Sequence, residues 1–303
     1  MTFSNLETFA GRPVADFTAD TDFDFAGNVP RLRVEYDAEE TAVDLLGALL
    51  ATGYADQLPA LVIGAWSSEL YESPSDAMVE ALVAAAGQLT SLRALFLGDI
   101  AFEENEVSWI HQSDLSALWQ AFPRLEVLGV RGSNGLSLGQ IQHNHLRELI
   151  LETGGLPKEV LAELAQSSLP ALEHLELYLG DSGYGWDGTI DDLRPILSGS
   201  LFPQLKYLGL RNSEIADEVA KATAESPLVS RIETLDLSLG TLGDEGAEAL
   251  LAAPAIKRLK RLDLQHHYIS APVMERLKKL GPAVNLGDVQ EEDDYGRYVS
   301  VGE

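Results

Sequence analysis

The chain carries 48 acidic residues against 21 basic over 303 positions, a net charge of −27. A field of that sign repels phosphate backbones and anionic lipid, which argues against nucleic acid or membrane as partner and favours encounter with a basic protein. With no cysteine there is no disulfide framework and no thiolate zinc site, while a hydrophobic share of 46% is ample for a core.

Residues 1–28 read as an N-terminal capping segment, because a stack of repeats needs its open end covered. Phe3, Leu6 and Phe9 recur at roughly helical spacing. From Phe17 to Phe25, the residues Phe17, Ala19, Thr21, Phe23 and Phe25 alternate with Thr18, Asp20, Asp22 and Asp24, the pattern of a half-buried strand. The opening MTFSNLETFAGRP lacks a basic start followed by an apolar run, and no stretch approaches the roughly 18 apolar residues of a membrane span. A soluble cytoplasmic protein, acting as a monomer, is therefore expected.

From Val29 the chain repeats. L-x-x-L-x-L frames open at Val29, Leu58, Leu92, Leu125, Leu146, Leu172, Leu205, Ile232 and Leu259, in steps of 21 to 34 residues. The clearest unit starts with Ile232, Leu235 and Leu237, passes an apolar turn position at Leu242, and continues as an amphipathic helix, Asp244 to Leu251. The same turn position is apolar at Phe102, Leu156, Ile215 and Ile269. Helices are also expected over Asp76–Gly87, Lys158–Gln166 and Asp217–Ala224, opening on Pro or acidic residues as a helix N-terminus prefers. Neither a strand nor a helix of this size buries its apolar face alone, so the units must stack. The fold class expected is α/β: a leucine-rich-repeat solenoid over residues 29–286, a horseshoe with a parallel β-sheet on the concave face and helices on the convex face. The turn position that often holds Asn or Cys is Asp37, Trp66, Ile100, Ser133, Gly154, Gly180, Ser213, Gly240 and His267. No side-chain ladder can run there, so loose turns satisfied by backbone or water are expected. Residues 287–303 are an acidic C-terminal segment in which Tyr298, Val299 and Val301 can form a closing strand or dock on the final repeat.

The frames Ile232–Leu242 and Leu205–Ile215, with the helix LGDEGAEALLA, resemble the ribonuclease-inhibitor type of leucine-rich repeat. The whole chain, including the terminal DVQEEDDYGRYVSVGE, resembles a bacterial family of leucine-rich-repeat proteins of unknown molecular function. That resemblance implies an intracellular horseshoe and, by analogy, protein binding. Ribonuclease inhibitors proper are longer, more regular and rich in Cys, so inhibition of a ribonuclease is not implied.

Three strings look enzymatic and fail on context. Gly135-Leu-Ser137-Leu-Gly139 matches a nucleophile elbow, but the serine lies in a turn of the shortest repeat rather than between a buried strand and a helix. Gly180-Asp-Ser182-Gly183 resembles a serine-protease loop from an unrelated barrel fold. Gly183 to Gly188 matches G-x-G-x-x-G, yet Tyr184 and Trp186 crowd the loop, and Arg211 and Asn212 stand where an acidic ribose ligand belongs. No histidine pair has zinc-ligand spacing with Glu, so no metal, no cofactor and no enzymatic activity are expected.

A partner surface is expected instead. By strand alternation, the residue between the last two frame positions faces the concave side: Arg33, Val62, Phe96, Gly129, Ile150, Glu176, Gly209, Asp236 and Asp263. The next concave column includes Glu35, Arg131, Glu152, Tyr178 and Arg211. The three longest repeats add loop aromatics beside acids: Trp66, Glu69, Tyr71 and Glu72; Glu103, Glu104, Glu106 and Trp109; Asp181, Tyr184, Trp186 and Asp187. The alternative is that these rings fold back onto the core. The expected function is a protein-binding scaffold using the concave face and an aromatic rim; an acidic inhibitor of a basic nucleic-acid-binding protein is the alternative.

Overall fold

A computed structural model describes residues 3–20, 22–70 and 73–302, so Thr21, Tyr71 and Glu72 lie outside the described residues. In chain order the elements are β1 (Thr8–Phe9), β2 (Arg12–Asp16), β3 (Val29–Leu32), α1 (Ala42–Ala51), β4 (Ala60–Ile63), α2 (Asp76–Ala85), β5 (Ala94–Leu97) and α3 (Ala117–Ala121). They continue as β6 (Val127–Arg131), β7 (Glu148–Glu152), α4 (Lys158–Ala165), β8 (His174–Gly180), α5 (Ile190–Leu197), β9 (Tyr207–Ser213) and α6 (Ala216–Glu225). The last are β10 (Thr234–Asp236), α7 (Asp244–Ala252), β11 (Arg261–Asp263), α8 (Ala271–Leu277) and β12 (Ala283–Asn285). The strands form one 12-stranded sheet in sequence order. Among the described strands β1 pairs with β2 antiparallel, and the others form the parallel ladder of a leucine-rich-repeat solenoid.

The register follows the second frame position. Leu61, Leu95, Leu128, Leu149, Leu175, Leu208, Leu235 and Leu262 pair in an unbroken row, and each is fully buried. A slip of one residue in any strand would turn its leucines to the opposite face, so burial holds the whole ladder in phase. On the other side the helices cover the leucines, with Leu82, Leu161, Leu193, Val219 and Leu250 each pointing into the core. Helix starts are fixed locally: Thr41 with Asp44 and Thr189 with Asp192 form capping boxes at α1 and α5. The helices expected near Asp76, Lys158, Asp217 and Asp244 form within two residues of those bounds. The connection from β6 to β7 carries no helix among the described residues. Instead Asn134 and Ser137 bridge in parallel to His111 and Asp114 of the preceding repeat.

Five expectations change. The first frame is displaced by two residues: Leu32 pairs with Ile63 and Arg31 with Val62, so Arg33 falls beside Gly64 and Glu35 passes beyond the sheet to the rim. Val34 is apolar and buried, which imitates a frame position. Among the described residues no strand runs between Phe17 and Phe25. The Asp24 carboxylate accepts from the N–H groups of Ala26 and Gly27, a turn that local Asp favours, and Phe17, Phe23 and Phe25 cluster with Tyr54 over the first end of the core. Phe3 to Leu6 is extended rather than helical, and Phe102 is turned outward. The turns are also not loose. Backbone bonds carry the ladder onward, as in Gly132 N–H to Glu152 O, Asn212 N–H to Ser238 O and Leu239 N–H to Gln265 O.

Replacing Leu208 with Ala removes a fully buried side chain from the middle of this row. The expected loss is about 2–5 kcal/mol of unfolding free energy in urea titration, with the far-ultraviolet spectrum of the folded state unchanged.

Candidate functional site

The concave face is where strand alternation places unpaired side chains, and its two halves differ. Toward the N-terminus, Val29, Ala60, Val62, Ala94 and Phe96 form an apolar cluster separate from the main core. Toward the C-terminus the same positions hold charged and polar groups. Alternating signs run laterally: Arg31 bridges Asp16 at 2.5 Å and Asp99 at 2.9 Å, and Arg131 stands 3.6 Å from Asp99 and 2.8 Å from Glu152. Further along, Arg211 pairs with Glu176 and lies 3.5 Å from Asp236, while Arg261 bridges Asp263 at 2.5 Å. Tyr207 donates to Asp236 at 2.8 Å and stacks on His174 with ring centres 3.9 Å apart.

These environments pull the carboxyls apart. Burial raises the Glu152 carboxyl above its usual range despite Arg131, and raises Asp236 despite Arg211. Burial would raise Glu176 as well, but His174 and Arg211 outweigh it and hold that carboxyl low. The Tyr178 hydroxyl is pushed up by burial and by neighbouring Glu152.

The apolar half is covered by the chain itself. Residues 3–9 cross the concave face as an extended strap from β1 to the level of β8. Phe9 packs edge-on against Phe96 at 5.9 Å, Phe3 lies 5.7 Å from Tyr178, and the Arg131 guanidinium sits 4.5 Å over the Phe3 ring. Asp99 accepts the Leu6 N–H at 2.9 Å, Phe102 N–H donates to Phe3 O at 2.9 Å, and Arg131 donates to Ser4 O at 3.2 Å. The Asn5 amide donates to Asp99 O at 2.9 Å and to Glu104 at 3.1 Å. Ordering seven residues costs roughly 1–2 kcal/mol each. Buried Phe9 returns roughly 1.5–3 kcal/mol, half-buried Phe3 and Leu6 roughly half of that each, and about five hydrogen bonds roughly 1 kcal/mol each, so the two sides nearly cancel.

A second segment follows the rim. Asn212, Leu239, His266 and Asp288, each two residues past the third frame position, have φ of 55°, 69°, 59° and 58°, a left-handed conformation that costs roughly 1–2 kcal/mol for a side-chain-bearing residue. Three of them hold the C-terminal segment. The Asn212 amide pairs with both backbone groups of Val301, Leu239 O accepts from Ser300 N–H at 2.8 Å, and His266 Nε2 lies 3.3 Å from Tyr298 O. The segment thus runs back from β12 toward β8 instead of forming a closing strand on the last repeat. It ends where Gly302 O crowds Gly154, at which a Cβ would meet that oxygen at 2.5 Å.

The sequence-derived site residues divide accordingly. Phe96 is only 2% exposed beneath Phe9, and Val62 is fully buried, so neither faces solvent on the concave side. Tyr178, Arg131, Glu176, Asp236 and Asp263 are buried in the lateral charge network, while Arg33, Ile150, Glu152 and Arg211 are half-buried. Arg33 is spent on Asp16, Glu35 and Glu104. Of the loop aromatics, Trp66 and Trp186 are core. Trp66 donates its indole N–H to Ser73 O at 2.7 Å, and Trp186 lies over Gly188, where a side chain would strike the ring. Trp109 is 52% exposed and shares a groove of about 450 Å³ with Tyr184, Asn134 and Pro157.

The enzyme-like strings are absorbed into structure. Ser137 donates to Glu163 at 2.7 Å and Ser182 to Glu214 at 3.0 Å, and the Gly183–Gly188 loop is filled by Trp186. Among the described residues no group of three His, Asp or Glu side chains converges on a metal site, and no helix is long and apolar enough to cross a membrane.

Sequence reasoning missed Tyr36, 88% exposed, and Phe102, 37% exposed, on the loops that follow β3 and β5. The available signal was charge. Residues 34–123 hold 15 acidic residues against the single basic Arg93, roughly half of the net −27 of the chain. Glu35, Asp37, Glu39, Glu40, Glu69 and Glu103 are exposed on the same rim as Tyr36, Phe102 and Trp109.

Arg131→Met leaves Asp99 and Glu152 without their shared cation, and the expected cost is about 3–5 kcal/mol in urea unfolding. Glu152→Gln should cost less than half as much, because Asp99 remains beside Arg131 to balance its charge.

No family model matches the chain, and no curated protein does. Among solved structures, a protein of Bacteroides fragilis superposes with a TM-score of 0.83 at 33% identity, covering 90% of this chain and 77% of that one. An internalin of Listeria monocytogenes aligns with a TM-score of 0.43 at 16% identity, covering 85% of this chain and 67% of that one. At one-third identity over nine-tenths of its length, and with the repeat ladder described above, this chain belongs to the same leucine-rich-repeat family as the Bacteroides fragilis protein.

Proposed function

We propose that the protein is a non-enzymatic interaction scaffold that holds a basic protein partner on the rim formed by the loops after β3, β4 and β5. The observation that carries this reading is the coincidence of exposed Tyr36, Phe102 and Trp109 with six exposed acids, in a stretch whose one basic residue is Arg93. Aromatic side chains supply contact area at low entropic cost and are enriched where binding energy concentrates. The acids around them raise the rate of encounter with a cationic surface and reject an anionic one. A partner that is itself a nucleic-acid-binding protein fits the same chemistry, and competition by nucleic acid for that partner would mark it.

Co-purification from the native cell at low salt, comparing the wild type with a Tyr36→Ala/Trp109→Ala variant, tests the assignment. The variant is expected to lose a basic partner retained by the wild type, and the wild-type complex to weaken roughly tenfold or more between low and high salt. An identical partner set for both proteins, or a salt-independent affinity, would overturn it.

A further inference from the structure

We propose that the apolar half of the concave face is a binding site for an extended peptide carrying hydrophobic side chains at every third position. Residues 3–9 are its internal occupant, and a partner segment of the same chemistry replaces them. The site is built for such a ligand. Val29, Ala60, Val62, Ala94 and Phe96 give a continuous apolar floor on the face of the sheet opposite the main core, with Leu6 and Phe9 seated on it.

The contacts above that floor are made largely to main chain. Asp99, itself fully buried and held by Arg31 and Arg131, takes the Leu6 N–H; Phe102 N–H takes Phe3 O; Arg131 takes Ser4 O. Groups that read backbone accept many sequences, so selectivity rests on the apolar positions and on the Asn5 amide, which is clamped between Asp99 O and Glu104. The occupant is lightly attached. Ser4, Glu7 and Thr8 are exposed, Phe3, Asn5 and Leu6 are half-buried, and the strap joins the strand that follows through two residue pairs, Thr8 with Pro13 and Phe9 with Arg12, and the Val14 N–H donated to Glu7 O. A segment with few buried contacts opens locally, below the free energy of global unfolding.

This inference shares with the rim reading only the premise that the chain binds protein segments, and its tests are separate. In native-state hydrogen exchange of the full chain, the Leu6 amide is expected to exchange roughly 100-fold faster than the amides of Leu128 and Leu149. Equal protection would mean that the strap leaves only when the protein unfolds, which would overturn the proposal. In the second experiment a labelled peptide spanning Phe3–Phe9 is titrated into a chain lacking residues 2–9. Saturable binding is expected, roughly tenfold or more tighter than to the full chain and lost with Asn5→Ala/Leu6→Ala in the peptide. A shortened chain that folds without binding, binds no better than the full chain, or fails to fold contradicts it. The Tyr36→Ala/Trp109→Ala rim variant in the shortened chain should bind the peptide normally, so failure of either assignment leaves the other standing.

Discussion

Eight leucines, one per strand from Leu61 to Leu262, stand directly opposite one another across the sheet, and every other feature of the molecule is set by that row. Because side chains alternate with a period of two, holding the leucines inward fixes which residues face the concave side, strand by strand. The helices only need to cover the outer face. One repeat does without a helix, and its strand remains in register. Lateral hydrogen bonds and leucine burial therefore carry the architecture, and repeat length is free to vary where loops leave the rim.

The same alternation would leave a flat face of mixed character open to solvent, and the two ends of the chain respond differently to it. The N-terminal strap covers the apolar strands, with Phe9 on Phe96 and Phe3 beside Tyr178 and Arg131. The C-terminal segment instead tracks the left-handed residues of the rim from His266 back to Asn212. Between them the concave charges neutralise one another sideways, so the acidic excess is displaced to the loops and outer surface. An acidic protein with a paired interior face presents its field at the rim.

Repeat starts, strand register beyond the first unit and the helices near Asp76, Lys158 and Asp244 were legible because each rests on local periodicity. The first frame was not, because Val34 is buried for its own reasons and imitates a leucine position two residues late. The alternation from Phe17 to Phe25 misled for a related reason: Asp24 builds a turn, and the rings cap the end of the core. Exposure on the concave face was illegible in principle. Whether Phe96 meets water depends on Phe9, 87 positions away, and no pattern within a strand reports that contact. Loop aromatics divided on equally nonlocal grounds, since Trp66 and Trp186 found space and partners inside whereas Trp109 did not enter the core.

Closure of the apolar concave face by residues 3–9 sets what the molecule can bind there, and thiol accessibility measures it directly. The chain has no cysteine of its own, so Val62→Cys places a single probe on that face, and Glu35→Cys supplies an exposed reference on the rim. Closure predicts that the thiol at position 62 reacts with a small disulfide reagent roughly 100-fold more slowly than the one at position 35, its reaction waiting on local opening. Comparable rates at the two positions in folded protein would show an open face and contradict the account.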